Sequence, residues 1–205
     1  MNLVLNKPFI FTVGSLSAVG KTTFVVALLA KIVKPTEKVY IITDESERAM
    51  FGRIKQLSIP LQGKVVSVYS KDKFNKIINL AILEKFNYVV IDCHQEWMRD
   101  SGFLTEIVAK LRANNISVLL TAQLIRNFES EPELYNIRPA HITMVSDYVG
   151  VINRRKPSKF EAFIYKILPF IPYKNMQFRL IKNRYGKQKS FNFHLNFNTL
   201  KITNF

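Results

Sequence analysis

The residues best suited to chemistry form one short run, Ser15-Leu16-Ser17-Ala18-Val19-Gly20-Lys21-Thr22-Thr23. An apolar run, residues 9–13, precedes it, and a long apolar stretch free of Gly and Pro, residues 21–33, follows it. Strand, turn and helix in that order are the context a phosphate-binding loop requires. Successive backbone N–H groups and the positive end of a helix cradle a polyphosphate. Ser15, Ser17, Ala18, Val19, Gly20 and Thr23 would build that cradle, and Gly20 would let the backbone come close. Lys21 would reach the β and γ phosphates, and the Thr22 hydroxyl would ligate Mg2+. One position departs from the strict pattern, which has Gly or Ala six residues before the Lys; here Ser15 stands there and Gly14 lies one place too early. The plain alternative is a polar turn ahead of a core helix, and the flanking elements favour the phosphate loop.

Carboxylates follow at strand ends. Residues 88–92 (YVVID) end in Asp92, placed to hold Mg2+, often through water, near a phosphate loop. Residues 39–45 (VYIITDE) end in Asp44 and Glu45. Hydrolysis of ATP needs a group that orients and polarises the attacking water. Glu45 is the choice and Asp44 the competitor, while either could simply cap the helix that begins near Ser46. Residues 117–123 (SVLLTAQ) end in Gln123, where an amide could contact the γ-phosphate; a lone Gln at a strand end is otherwise structural.

The elements that would position these groups alternate. Strands are expected at 9–13, 38–43, 64–69, 88–92 and 116–122, and helices at 21–33, 46–57, 71–85 and 102–113, from apolar runs and helical spacing. Apolar strands alternating with helices mean a mainly parallel sheet covered on both faces. After about residue 140 the pattern changes to strands at 144–152, 176–182 and 190–197, with one helix around 161–168. The expectation is an α/β chain of one domain, a core at 8–140 and an antiparallel β extension at 141–205.

Taken together these residues resemble the RecA-fold ATPases, and within them the DnaB-type hexameric replicative helicases and the RadA and RadB proteins. The phosphate loop, Glu45 after strand two and Asp92 at a later strand end fall in the family's order. Ala122-Gln123-Leu124-Ile125-Arg126 is similar to the S-Q-L-x-R string of DnaB-type enzymes. Lys182-Asn183-Arg184-Tyr185-Gly186 resembles the K-N-R-F-G motif of RadA and the K-x-R-x-G motif of DnaB. The resemblance covers roughly residues 8–197. It implies a RecA-like phosphate-loop core, ATP with Mg2+, and a homo-oligomeric ring or filament. In it Lys182 and Arg184 reach the γ-phosphate bound by a neighbouring subunit, with Arg184 as an arginine finger. Their bland reading is two basic residues on an exposed hairpin. Residues 156–175 are longer and more aromatic than the family's connection.

Lys plus Arg number 30 against 15 acids, a net charge of +15, which favours a polyanionic partner. Single-stranded DNA is the expected one. Residues 94–101 carry Trp97 and Arg99, suited to stacking and phosphate contact. Residues 126–140 carry Arg126 and Arg138, but also Glu129, Glu131 and Glu133, so only the basic ends are assigned. Arg154, Arg155, Lys156 and Lys159 put four cations in six positions, a phosphate-binding cluster or a solvated hairpin turn. The phenylalanines that follow fit an amphipathic helix. Hydrophobic residues make up 48% and charged residues 22%, which excludes disorder as the main state. One cysteine, Cys93, excludes an internal disulfide framework and makes a reducing, cytoplasmic setting the default. His94 and His141 have no partner at metal-binding spacing. The stretch 24–33 contains Lys31 and is too short to span a bilayer, so no transmembrane segment is expected. The leading expectation is an ATP hydrolase that moves along or remodels single-stranded DNA, helicase-like. A RadB-like recombination accessory protein with slow hydrolysis is the second reading. A phosphate-loop small-molecule kinase is the third, and Gln123 and the 182–186 string speak against it.

Overall fold

Strand by strand, apolar side chains alternate between two faces of one sheet, and each face has its own helices. The structure is a computed structural model, described over residues 5–16, 19–56, 62–92, 100–124, 137–138, 141–154, 173–196 and 202–203. The elements run β1 (Ile10–Ser15), α1 (Lys21–Ile32), β2 (Lys38–Thr43), α2 (Glu47–Gln56), β3 (Gln62–Ser67), α3 (Lys71–Leu83), β4 (Tyr88–Asp92), α4 (Ser101–Ala113) and β5 (Ser117–Leu124). Then follow β6 (Ile137–Arg138), α5 (His141–Val145), β7 (Tyr148–Arg154), β8 (Tyr173–Asn183), β9 (Ser190–Asn196) and β10 (Ile202–Thr203). All these strands join one sheet in the order β10-β9-β8-β7-β1-β5-β4-β2-β3, with β6 paired to β5. From β3 through β1 to β7 every neighbour on that path is parallel. From β7 onward through β8, β9 and β10 the pairing is antiparallel. This is the RecA-like α/β architecture with an antiparallel C-terminal extension.

The alternation shows in the core. Phe9, Phe11 and Val13, Val39 and Ile41, and Tyr88 and Val90 pack against α1 and Met50 of α2. Ile10, Tyr40, Ile42, Val89 and Ile91 pack against α3 and α4 on the other face. Helix α1 is buried from Thr23 to Leu29 because α2, β1 and the antiparallel extension surround it. Its Phe24 stacks on Phe178 at 5.0 Å, which ties the extension to the phosphate-loop helix. Helices α3 and α4 are closed at both ends. Ser70 and Asp100 accept the first amides. Lys85 and Asn115 then take positive φ and return the chain through paired bonds, Phe86 N–H to Ala81 O and Ile116 N–H to Leu111 O. Strands β4 and β5 therefore start within a few residues of each helix end.

Two expectations change. The run 144–152 reads as one strand from its β-branched residues, but it is the end of α5 followed by β7. Tertiary bonds override propensity here. The Ser146 hydroxyl donates back to Ile142 O at 2.7 Å, and Lys182 Nζ donates to Thr143 O at 2.7 Å, closing the helical turn. The third strand begins at Gln62 and ends at Ser67, two residues earlier than 64–69. The expected helix at 161–168 lies outside the described residues. Among the described residues no helix is long and apolar enough to cross a membrane.

Candidate functional site

The carboxyl ends of the parallel strands form one edge of the sheet, where open α/β sheets bind ligands. Register places Ser15 opposite Gln123, and Thr43 opposite both Asp92 and Ser67. The phosphate loop leaves β1 at this edge. Gly20 caps α1 with φ 105° and ψ 27°, a left-handed conformation that glycine adopts without a Cβ penalty. Ser15 stands where the strict pattern has Gly or Ala, yet it carries no backbone strain. Among the described residues only Lys85 and Asn115, of the non-glycine residues, have positive φ. The Ser15 hydroxyl folds back onto Leu16 O at 2.8 Å.

Lys21 opens α1 with 8% of its surface exposed. Its ammonium donates to Leu16 O at 3.4 Å. Burial pulls its pKa down, and the charges of Asp92 and Asp44 act against that shift. The next residue, Thr22, donates its hydroxyl to Asp92 Oδ2 at 2.8 Å. Asp92 is 4% exposed, and its other oxygen, Oδ1, accepts the Thr121 hydroxyl at 2.8 Å. The Asp44 amide donates to Asp92 O at 3.2 Å, so the ends of β2 and β4 are stitched together. Lys21, Thr22, Asp44, Asp92 and Thr121 thus converge from four elements.

Glu45 sits beside this group but is engaged elsewhere. Arg53, two turns along α2, forms an ion pair with its carboxylate. The Glu45 amide donates to Thr43 Oγ1 at 3.0 Å, and its carbonyl accepts the Ser67 hydroxyl at 2.7 Å. The backbone of Glu45 is therefore fixed at the strand edge, while its side chain leans along α2. Of the two acids, Asp44 is the one whose charge acts on Lys21. Gln123 is exposed at the end of β5, level with Ser15 on one side and Arg138 of β6 on the other. Val19 and Thr23 are buried in the loop and first turn.

Lys182 and Arg184 are not at this edge. Arg184 pairs with Asp147, whose amide donates to Ile10 O at the amino end of β1. Strand β1 runs from Ile10 to Ser15, a span of about 16 Å at ~3.3 Å per residue. Lys182 donates to the Thr143 and Met144 carbonyls at the end of α5. Its pKa is lowered by burial and by the nearby Arg184 charge, with Asp147 opposing. Arg154 is exposed at the end of β7, on the same edge as the phosphate loop. Ser17, Ala18, Trp97, Arg99, Arg126 and Arg155 lie outside the described residues, as do Cys93 and His94.

Three residues escaped sequence reasoning. Thr121 left one trace, a hydroxyl inside an otherwise apolar strand. Arg53 left none, because a helical arginine eight residues after Glu45 is ordinary. Asp147 left a carboxylate directly before an apolar strand, which reads equally as a turn.

Among the described residues no three His, Cys, Asp or Glu side chains cluster to hold a metal by themselves. The donor set at Thr22 and Asp92 instead fits Mg2+, a hard cation that keeps several waters and is held by one or two protein oxygens plus substrate phosphates. No family model and no curated protein matches the chain. Among solved structures, 307 chains match, so the architecture is widely shared. One of them is the ATPase domain of a DnaB-like helicase, with a TM-score of 0.69 over 98% of this chain and 86% of that one. Identity is 13%, so the likeness shows the fold and leaves function to the site.

Proposed function

We propose that this chain is a Mg2+-dependent ATPase of the RecA/DnaB type that couples ATP hydrolysis to translocation on, or remodelling of, single-stranded DNA. The observation that carries the reading is the buried group at Asp92. A phosphate-loop threonine and a strand threonine each donate to one carboxylate beside a lysine. Lys21 and the loop amides bind phosphates. Thr22 and Asp92 hold Mg2+, which when bound neutralises charge on the phosphate oxygens. Glu45 orients water, Gln123 contacts the γ-phosphate, and Lys182 and Arg184 complete the site of a neighbouring subunit in a ring or filament. ATP binds at an edge that Lys182 and Arg184 do not reach within one chain, which favours their action between copies. The kinase reading has no such use for a second copy. A cytoplasmic setting and a single ATPase domain go with this proposal.

The accessory reading, ATP and DNA binding with slow turnover, is favoured by one observation, the engagement of Glu45 by Arg53. The test is the ATPase rate with and without single-stranded DNA across protein concentration. The expected result is a rate that rises with DNA and rises more than proportionally with protein. Lys21→Ala abolishes it, and Arg184→Ala lowers turnover with little change in ATP affinity. A DNA-blind specific activity that is flat in concentration would sink the motor reading and leave a monomeric phosphate-loop enzyme. DNA binding with turnover that stays slow at every concentration would select the accessory reading.

A further inference from the structure

At the opposite edge of the sheet lies a second built cluster that the proposed chemistry has not used. Asp147 is fully buried at the amino end of β7. Its Oδ2 accepts the Ile10 amide at 2.9 Å and the guanidinium of Arg112 from α4. Its Oδ1 faces Arg184 Nη1 at 3.0 Å. That last contact is an ion pair without hydrogen-bond alignment, for Oδ1 has no hydrogen-bond partner. The Arg184 amide also donates to the Asp147 carbonyl at 3.0 Å. Arg184 is therefore tied to one residue through backbone and side chain, yet its side chain remains 46% exposed.

We propose that Asp147 is a positioning residue for Arg184: its buried charge fixes the guanidinium, and with it the turn of the β8–β9 hairpin, to meet a phosphate held by a second copy of this chain. This rests on the reading that Arg184 completes a neighbour's site. Arg112 alone balances the charge of Asp147, so Arg184 is a surplus cation. Lys182, held on the α5 carbonyls, adds another. The cluster stays net positive, and the unaligned guanidinium keeps its N–H groups for an incoming anion. A cation fixed before the anion arrives stabilises it without reorganising. The hairpin is braced for this: Asn183 Nδ2 donates to Lys187 O at 2.9 Å, and Tyr185 packs on Tyr148 with ring centroids 5.8 Å apart.

Asp147→Asn keeps the size and an acceptor for the Ile10 amide but removes the charge. The expected result is a loss of turnover of about tenfold or more, with ATP affinity within about twofold of the parent. Mixing it with Lys21→Ala protein restores turnover, because the sound loop of one chain meets the sound hairpin of the other. Parent-like or raised turnover in Asp147→Asn overturns the proposal. So does a mixture that stays inactive while Arg184→Ala with Lys21→Ala is restored. If Arg184→Ala and Lys21→Ala fail to restore each other, the trans reading itself falls and this proposal falls with it. Should Asp147→Asn melt below the assay temperature, Asp147→Glu displaces the charge by one methylene and enters the same mixtures with the same readings.

Discussion

Asp92 takes a hydroxyl on each oxygen, and the two donors come from different elements. Thr22 belongs to the helix that holds the phosphates, and Thr121 to the neighbouring strand. The second bond orients the carboxylate, so that the first oxygen stays aimed at the loop. Thr121→Val keeps the shape and removes that donor. Taking one partner from a buried carboxylate costs about 1–3 kcal/mol. The expected outcome is a loss of stability of that size in urea unfolding and a higher Mg2+ concentration for half-maximal ATPase. Unchanged stability and Mg2+ demand would mean that Thr121 does not orient Asp92. The phosphate loop was legible because its chemistry is contiguous: amides, lysine and hydroxyl follow one another in the chain. Asp92 was legible because a carboxylate ending an apolar strand is conspicuous. Thr121, Arg53 and Asp147 were not, since their partners are set by sheet register and helix placement rather than by neighbours in sequence.

The antiparallel extension is held to the core through aromatic packing on α1 rather than by loops. Phe178 of β8 meets Phe24 on one side and Phe11 edge-on at 6.2 Å. That ring needs Gly150, for a Cβ there would lie 2.3 Å from it. Strand β7 also shifts register between Val149 and Gly150, which accommodates the close approach. Gly150→Ala should therefore destabilise by about 1–3 kcal/mol, the cost of overpacking a filled core. Denaturant unfolding measures it, and a neutral or stabilising effect would mean the extension can slide away from α1. The parallel half of the fold was readable because each strand is apolar and each helix ends with a cap before the next strand. The boundary between α5 and β7 was not readable. Ile142 and Thr143 favour a strand locally, and only the bonds from Ser146 and Lys182 make the segment helical. Strands β6 and β10, two residues each, have no local signature at all.

Across the molecule, one sheet carries two chemically distinct edges. The carboxyl edge holds Lys21, Thr22, Asp92 and Gln123, and β7 delivers Arg154 to the same edge. The amino edge holds Asp147, Arg112, Arg184 and Lys182. The strands between are stiff, so the two edges can meet only between copies. The excess of cations is not cancelled locally. Among the described residues Glu37, Glu45, Glu84, Asp100 and Asp147 already pair with cations, which leaves the net charge of +15 to exposed positions such as Arg154. A single strand of DNA held at the carboxyl edge would release counterions in proportion to the phosphates contacted. The logarithm of its binding constant falls against the logarithm of salt with a slope of about −0.7 per contact. If Arg154 and Arg155 each touch one phosphate, the double variant Arg154→Ala/Arg155→Ala should flatten that slope by about 1.4. ATP affinity should not move, because the phosphate loop is built from other residues. A slope equal to the parent's would remove this cluster from the DNA path and leave the basic residues elsewhere on the carboxyl edge to supply it.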